Sequence, residues 1–554
     1  MAVRLWVLSQ RGSFFLDEAS LALNVLGRGY AGLARPLDWG QAAPVGFLWA
    51  EKVLSGLLGP SEWVLRLMPF LAGSGTLILV WRVGRKVAGE TTAMLVVVAL
   101  SASLLAIRYS AEAKPYATDG FVALGLVALA LNVLARPDAA RRWIWLGVAG
   151  ALGIALSFPS AFVLAATGAA LLREGWRQRP AIRAIAAGLV TAWLVVFGML
   201  WLLVIRDASG GAYLREYWAP VMLDPRAPDF FARVVRALSS SVATPLQWTG
   251  SIAVALTATA SCIIGLFAMA QVNWRHAVLL GGPFAIAAIA SAAGVYPLSD
   301  RLAFFAAPLA LIVAALPVGR VADQAQRAFA ARIGVRAGAV VPWVMPWVVA
   351  GSVAAWVGAD GAAIVRMPGS LERTHALFAS VRAEAATDAT PVYVFARAVP
   401  AWVYATTDWG TPDRERFARY LAAAGSTDAP AHENLSRQRP VRPGEGDTLV
   451  YRGARTTELI GLAPGVRYRI VGPTSADRPS PEWDGVEARR IRAVANPSVW
   501  VVASHYFEGT PLDEFRPLAR ALERQGLRVV EERRGGRDAI AVRFAVAIPD
   551  STRR

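Results

Sequence analysis

Three short runs of this 554-residue chain hold the residue types that proton transfer and anion stabilisation need. They are Asp17-Glu18, the run Arg108-Tyr-Ser-Ala-Glu112-Ala-Lys114-Pro-Tyr116-Ala-Thr-Asp119, and Tyr296-Pro-Leu-Ser-Asp-Arg301. A carboxylate can take a proton from a hydroxyl, while lysine and arginine steady a departing phosphate, which guanidinium geometry suits especially well. Each run also has a plainer reading. Asp17-Glu18 stands where a helix begins, and an acidic N-cap alone explains it. Arg301 at a membrane edge can snorkel towards headgroups.

What must position these residues is a membrane. With 55% hydrophobic residues and a mean hydropathy of +0.42, the chain is too apolar for an ordinary soluble protein. Spans are expected at 65–81, 91–107, 116–135, 143–157, 159–172, 184–205, 249–270, 276–294, 302–318 and 339–357. The short pair 143–157 and 159–172 meets at Ser157-Phe-Pro159-Ser160, where proline ends one helix and starts the next. A re-entrant pair and two tilted spans both fit. After residue 360 no apolar stretch is long enough to cross.

Threading these spans alternately sorts the loops into two sets. Loops 82–90, 136–142, 173–183, 271–275 and 319–338 hold 15 Lys/Arg against four Asp/Glu in 52 residues. Loops 11–64, 108–115, 206–248 and 295–301 have well under half that density of Lys/Arg. The positive-inside rule places the first set in the cytoplasm. All three chemical runs then face outside together, as does everything after residue 360. The net charge of +17 is thereby explained by topology, without nucleic acid. An exterior Asp17 also requires a preceding crossing, and Met1 to Phe15 is too short for one, so a span upstream of Met1 is expected. Cys262 is the sole cysteine and allows no intrachain disulfide.

Residues 12–64 form the first exterior segment. Within it 19–34 and 43–58 have helical patterns too short to span, and they read as amphipathic helices at the membrane interface. Several pieces then resemble one family. Phe15-Leu-Asp-Glu-Ala-Ser-Leu-Ala, Gln41-Ala-Ala-Pro44-Val-Gly-Phe, Glu62-Trp-Val-Leu-Arg66-Leu-Met-Pro69, the 109–119 run and Tyr296-Pro-Leu-Ser-Asp-Arg301-Leu follow in order over about residues 12–320. Together they are similar to polyprenyl-phosphate-sugar-dependent glycosyltransferases of the GT-C class, in the bacterial group related to protein O-mannosyltransferases and aminoarabinose transferases. The resemblance implies an inverting hexosyl- or pentosyltransferase of the cell membrane. Its donor would be a polyprenyl phosphate sugar and its exterior acceptor a lipid, glycan or protein.

By the same resemblance Asp17 takes the role of general base, with Glu18 as a neighbouring carboxylate on the metal side. Lys114 and Arg301 would hold the lipid phosphate, and Glu112, Tyr116 and Asp119 would line the substrate site. Related transferases often carry a Glu-Lys-Pro-Pro segment where this chain has Gln41-Ala-Ala-Pro44, which leaves a divalent metal open.

The expected organisation is therefore an all-α, GT-C-like membrane domain over 1–358 and a small soluble α/β domain over 359–554. In the latter, 392–396, 499–503 and 540–544 read as strands and 511–525 as a helix. His375, His432 and His505 show no metal-ligand spacing. In the exterior segment 206–248, Tyr213, Tyr217, Trp218, Phe230 and Phe231 suit either a cover over a sugar site or an interfacial anchor. A transporter or lipid-carrier-binding protein is the rival to an enzyme, and an inactive relative is a third reading. Transporters often show internal repeats with paired broken helices and place ionisable residues near mid-membrane, and this sequence shows neither clearly.

Overall fold

The computed structural model describes residues 1–10, 12–38, 41–206, 218–243, 252–298, 300–332, 373–388, 390–395, 398–407, 409, 449–451, 454–456, 481–505, 515–536 and 539–547. The chain is a multi-pass helical membrane protein that carries a small sheet-containing unit at its C-terminal end.

In order, α1 (Ala2–Ser9), α2 (Leu16–Gly27), α3 (Tyr30–Leu33), α4 (Val45–Leu58) and α5 (Glu62–Leu65) precede α6 (Leu67–Ala88), α7 (Glu90–Ala102) and α8 (Leu104–Tyr109). They are followed by α9 (Tyr116–Ala135), α10 (Ala140–Leu156), α11 (Ser160–Gly175) and α12 (Pro180–Leu200). Further helices occupy Phe230–Ala243, Ile252–Val272, Trp274–Ala292 and Ala307–Arg332.

Among the described residues six helices are long and apolar enough to cross a membrane: Leu67–Ala88, Tyr116–Ala135, Pro180–Ile205, Ala255–Val272, Trp274–Ala292 and Arg301–Ala325. The expected ten is thus not reached by this measure. The stretch 91–107 is two helices, because Ser103 turns out of the helix and its hydroxyl accepts from the Ala106 amide to cap the second. α10 and α11, the short pair, have 17 and 16 residues and meet at Pro159, which caps α11. The expected span 339–357 lies outside the described residues.

α9 lies at the centre of the bundle, buried along most of its length, whereas α12 exposes Leu194, Val195 and Met199. An outer helix of a bundle shows such apolar residues to lipid. Small residues set the closest approaches. A Cβ on Gly73 would lie 2.1 Å from the Ser110 hydroxyl, so this glycine lets the 108–115 segment rest directly on α6.

The two helices of the first exterior segment differ from expectation and from each other. α4 keeps an exposed apolar edge at Trp49, Val53, Leu57 and Leu58, as an interfacial helix does. α2 does not. Every residue from Glu18 to Gly27 is buried, and its apolar residues share one hydrophobic core with the C-terminal unit. The apolar face read as lipid-seeking is covered by protein instead.

That C-terminal unit contains a four-stranded sheet in the order β1-β4-β6-β5, formed by β1 (Val392–Val394), β4 (Ser498–Ser504), β5 (Leu527–Arg534) and β6 (Ala539–Val546). β1 pairs with β4 in parallel and the other pairings are antiparallel. A separate hairpin joins β2 (Leu449–Tyr451) to β3 (Ala454–Thr456). Strands appear where 392–396, 499–503 and 540–544 pointed. The edge strand β5 was not anticipated, since Leu527-Arg-Val-Val-Glu-Glu-Arg-Arg buries one residue fully and reads as polar. The expected domain boundary at 358/359 falls outside the described residues.

Candidate active site at the membrane edge

α2 begins at Leu16, with Phe15 as its N-cap, and this start determines where the two acids point. Glu18 turns inward. One carboxylate oxygen accepts from the Phe15 amide at 3.0 Å, closing the first turn on itself. The other accepts from the Ala113 amide at 2.8 Å. Both meet Arg66, whose Nε and Nη2 donate at 2.9 Å each. Arg66 also donates to the carbonyls of Gly12 and Ser13 and lies over the Phe14 ring. This buried pair fastens three segments, 12–18, 66 and 113, into one body. Its bidentate geometry and filled lone pairs are what a buried ion pair requires.

Asp17, one residue earlier, turns outward. Arg301 Nη1 donates to Asp17 Oδ2 at 2.6 Å across 284 positions of sequence, with side chains 30% and 26% exposed. The Arg301 guanidinium lies 5.9 Å from the Tyr116 ring and 5.7 Å from the Trp218 ring, so two aromatic faces hold it. Burial pushes the Asp17 carboxyl up, but Lys114, Arg301 and His505 together outweigh it and hold it below its ordinary range.

Lys114 is 6% exposed and donates to the Gln41 side-chain oxygen. Among the described residues it makes no ion pair with a carboxylate. Burial accordingly lowers its pKa, with Asp17 opposing the shift. Pro115 caps α9 and keeps Lys114 in the turn before it. Glu112 pairs with Arg108 at 2.6 Å, and burial raises its carboxyl despite that partner. Tyr116 packs on Tyr109, with ring centroids 5.1 Å apart. Asp119, one turn deeper in α9, is buried with Oδ1 free of any hydrogen bond. Tyr296 donates its hydroxyl to the Leu302 carbonyl and packs against Phe162.

Asp17, Lys114, Tyr116 and Arg301 are therefore brought together, and Glu112 stands close enough to act on Lys114. Glu18 faces away from them into the Arg66 pair. Gln41 and His505 join the site without having been given a role from sequence, and Trp218 joins it as one of the aromatics read as a cover or an anchor. Gln41 was visible only as a departure from a family pattern. Trp218 was one of several loop aromatics, of which Tyr213 and Tyr217 lie outside the described residues. His505 had no local signal at all.

A metal does not fit these residues. Among the described residues no group of three or more His, Cys, Asp or Glu is placed to hold one. Asp17, Glu18 and Glu112 are each engaged by an arginine.

The comparisons with known proteins concern the family and the fold. Residues 42–202 match the family model described as dolichyl-phosphate-mannose-protein mannosyltransferase. The apo crystal structure of ArnT from Cupriavidus metallidurans superposes with a TM-score of 0.53 at 14% identity, covering 99% of this chain and 97% of that one. The fold is that of the GT-C class. A second ArnT structure, bound to undecaprenyl phosphate, gives 0.46 at 14% identity over the same shares. The Archaeoglobus fulgidus oligosaccharyltransferase gives 0.41 at 13%, covering 90% of this chain and 67% of that one. No curated protein matches the sequence. The likeness in fold extends over both the membrane bundle and the C-terminal unit.

Proposed function

We propose that the protein is a membrane glycosyltransferase that moves a sugar from a polyprenyl phosphate carrier to an acceptor hydroxyl on the exterior face. The family model matched by residues 42–202 describes enzymes of that donor class, and the GT-C fold agrees with it. The single observation that carries the reading is Lys114. A buried ammonium whose hydrogen-bond partner is a neutral amide, next to Arg301 and Asp17, leaves positive charge in excess at one point. Burying an uncompensated charge is costly unless an anion joins it. A lipid phosphate at the headgroup plane is such an anion.

In this reading Asp17 accepts the proton of the acceptor hydroxyl as its oxygen attacks the anomeric carbon. The bond from that carbon to the phosphate oxygen breaks, and its electron pair leaves with the phosphate, which Lys114 and Arg301 stabilise. Attack opposite the leaving group inverts the anomeric centre. Arg301 changes partner from Asp17 to phosphate, which frees the carboxylate at the moment it is needed as a base. Glu18 acts through the backbone, fixing the N-terminus of α2 and the Ala113 amide, and Tyr116 and Trp218 keep Arg301 in place. Asp119 is assigned to the sugar hydroxyls, for which its unpartnered oxygen is an acceptor. The acceptor is a lipid, glycan or protein. Contacts of His375 and Tyr404 with Ser13, Phe14, Glu62 and Pro60 support the reading that the C-terminal unit lies on the same exterior face.

The test uses the full chain in lipid with a panel of radiolabelled polyprenyl phosphate sugars, comparing it with Asp17→Asn. Transfer is expected to fall to background in the variant. Undiminished transfer removes Asp17 as the base, and the absence of turnover with every donor favours a carrier-binding protein without transferase activity.

A further inference from the structure

We propose that the end of the bundle away from Asp17 carries a binding site for the phosphate of an anionic phospholipid, built by Arg173, Arg177 and Arg183 on the faces of Trp274 and Trp176. The proposal is independent of the donor reading above.

The site lies where α11 ends and α12 begins. Arg275 pairs with Glu174 at 2.7 Å and reaches the Leu134 carbonyl, so the last turns of α9 and α11 meet the start of the helix Trp274–Ala292 here. The basic side chains at this end are of two kinds. Lys86 donates to the Leu131 carbonyl and Arg142 to the Asn132 carbonyl, and both thereby close the C-terminal end of α9. Arg173, Arg177 and Arg183 are used differently. All three are exposed, and each guanidinium lies over an indole face. Arg173 is 4.1 Å and Arg177 6.0 Å from the Trp274 ring centre, while Arg183 is 5.0 Å from that of Trp176. Among the described residues none of these three guanidinium groups has a carboxylate or carbonyl partner. Glu174, the one acid between 173 and 183, is buried and taken by Arg275.

Stacking on a ring fixes the plane of a guanidinium and leaves its edge N–H groups pointing outward, the fork that matches two oxygens of a phosphate. Arg173 and Arg177 share one ring, so their forks converge. Gly175 brings the third arginine to them: a Cβ there would lie 3.2 Å from the Arg183 Cα, so α12 starts tight against the end of α11.

What lies beside the arginines names the occupant. Trp176 is 71% exposed, and Ile185, two residues beyond Arg183, opens the apolar side that α12 continues through Leu194 and Val195. The arginines therefore stand at the edge of the hydrocarbon layer, level with headgroups, where indole rings also settle. A phospholipid can place its phosphate on the forks and its chains along α12, and a negative headgroup complements three cations. A basic loop that served only as a topology signal would need no such stacking.

The experiment titrates detergent-purified full-length protein with phosphatidylglycerol or phosphatidylcholine and reads the first bound lipid by native mass spectrometry. Phosphatidylglycerol should bind about tenfold more tightly or better. Arg173→Gln combined with Arg177→Gln should remove most of this preference, since each cation near an anionic lipid is worth about fivefold in affinity. Unchanged phosphatidylcholine binding shows that the variant is folded. Arg136→Gln combined with Arg141→Gln takes the same charge from the neighbouring loop and should leave the preference intact. Trp274→Leu keeps every charge and should lower the preference, because two guanidinium planes lose their support. Excess inorganic phosphate should not displace the lipid. Equal affinity of wild type for the two lipids overturns the proposal. An equal loss in the two arginine pairs does so too, since bulk charge then suffices, as does a preference that survives Trp274→Leu. Displacement by inorganic phosphate assigns the site to a free anion and overturns the lipid.

Discussion

The Glu18–Arg66 pair and the Asp17–Arg301 pair start from neighbouring residues of α2 and differ in their surroundings. The first is almost fully buried, bidentate, and saturated by backbone groups from both sides. The second is about a quarter exposed, held by one contact, and bordered by Lys114 and His505. A carboxylate whose lone pairs are all filled holds chain segments in place. One with a single exchangeable partner is available for chemistry. Sequence adjacency hides this division, and helix geometry creates it, because successive side chains on a helix point about 100° apart.

The largest expected effect that could break the comparison is on turnover. Asp17→Asn should lower transfer by roughly 10²–10⁴-fold, the range for removing a general base, with the thermal midpoint almost unchanged. Glu18→Ala should do the opposite in kind. It leaves Arg66 buried without its counter-charge, at a cost of about 3–5 kcal/mol, seen as a lower thermal midpoint and poor recovery of folded protein. A stable but inactive Glu18→Ala would show that the two acids share the chemistry.

A smaller effect sharpens the outward pair. Lys114→Gln should weaken carrier binding by about 10- to 100-fold, matching a charge-assisted hydrogen bond of about 1.5–3 kcal/mol. The pH profile tests the same group from another side. Asp17 must be ionised to act, and its pKa is held below the ordinary range, so activity should persist into mildly acidic solution and fall only below that range. Arg301→Gln should move this acid limb to higher pH, while a limb that stays in place would separate Arg301 from Asp17 in the working enzyme.

The smallest effect concerns how the C-terminal unit is seated. His375 pairs with Glu62 at 2.6 Å, which raises the imidazole pKa. A raised folded-state pKa contributes stability that is complete below the unfolded value and is lost as pH rises through the folded one. The imidazole is about half exposed, so the pair is worth about 1 kcal/mol or less. Protection of the contact from limited proteolysis should therefore decline slightly from pH 6 to 8 in wild type and not in His375→Gln.

The membrane helices were legible because hydropathy and the placement of Lys/Arg are summed along the chain, and most of the expected spans coincide with helices. The strands around Val392, Val499 and Ile540 were legible for the same reason, being buried apolar runs. β5 was not, since an edge strand presents polar residues to water. Part of the site was also legible: Asp17, Lys114, Tyr116 and Arg301 lie on what the charge of the loops marks as one face. That Glu18 turns inward to Arg66 while Asp17 turns outward has no local signal in the sequence.

What the sequence determined by itself is therefore a set of local quantities: which segments are apolar enough to cross, which loops are basic, and which acids stand at a helix start. The tertiary structure alone decided that α2 is roofed by protein, that Arg301 reaches Asp17 across 284 residues, and that His505 arrives from a sheet beyond the bundle. These contacts depend on packing between segments far apart in the chain, where residue spacing carries no distance information.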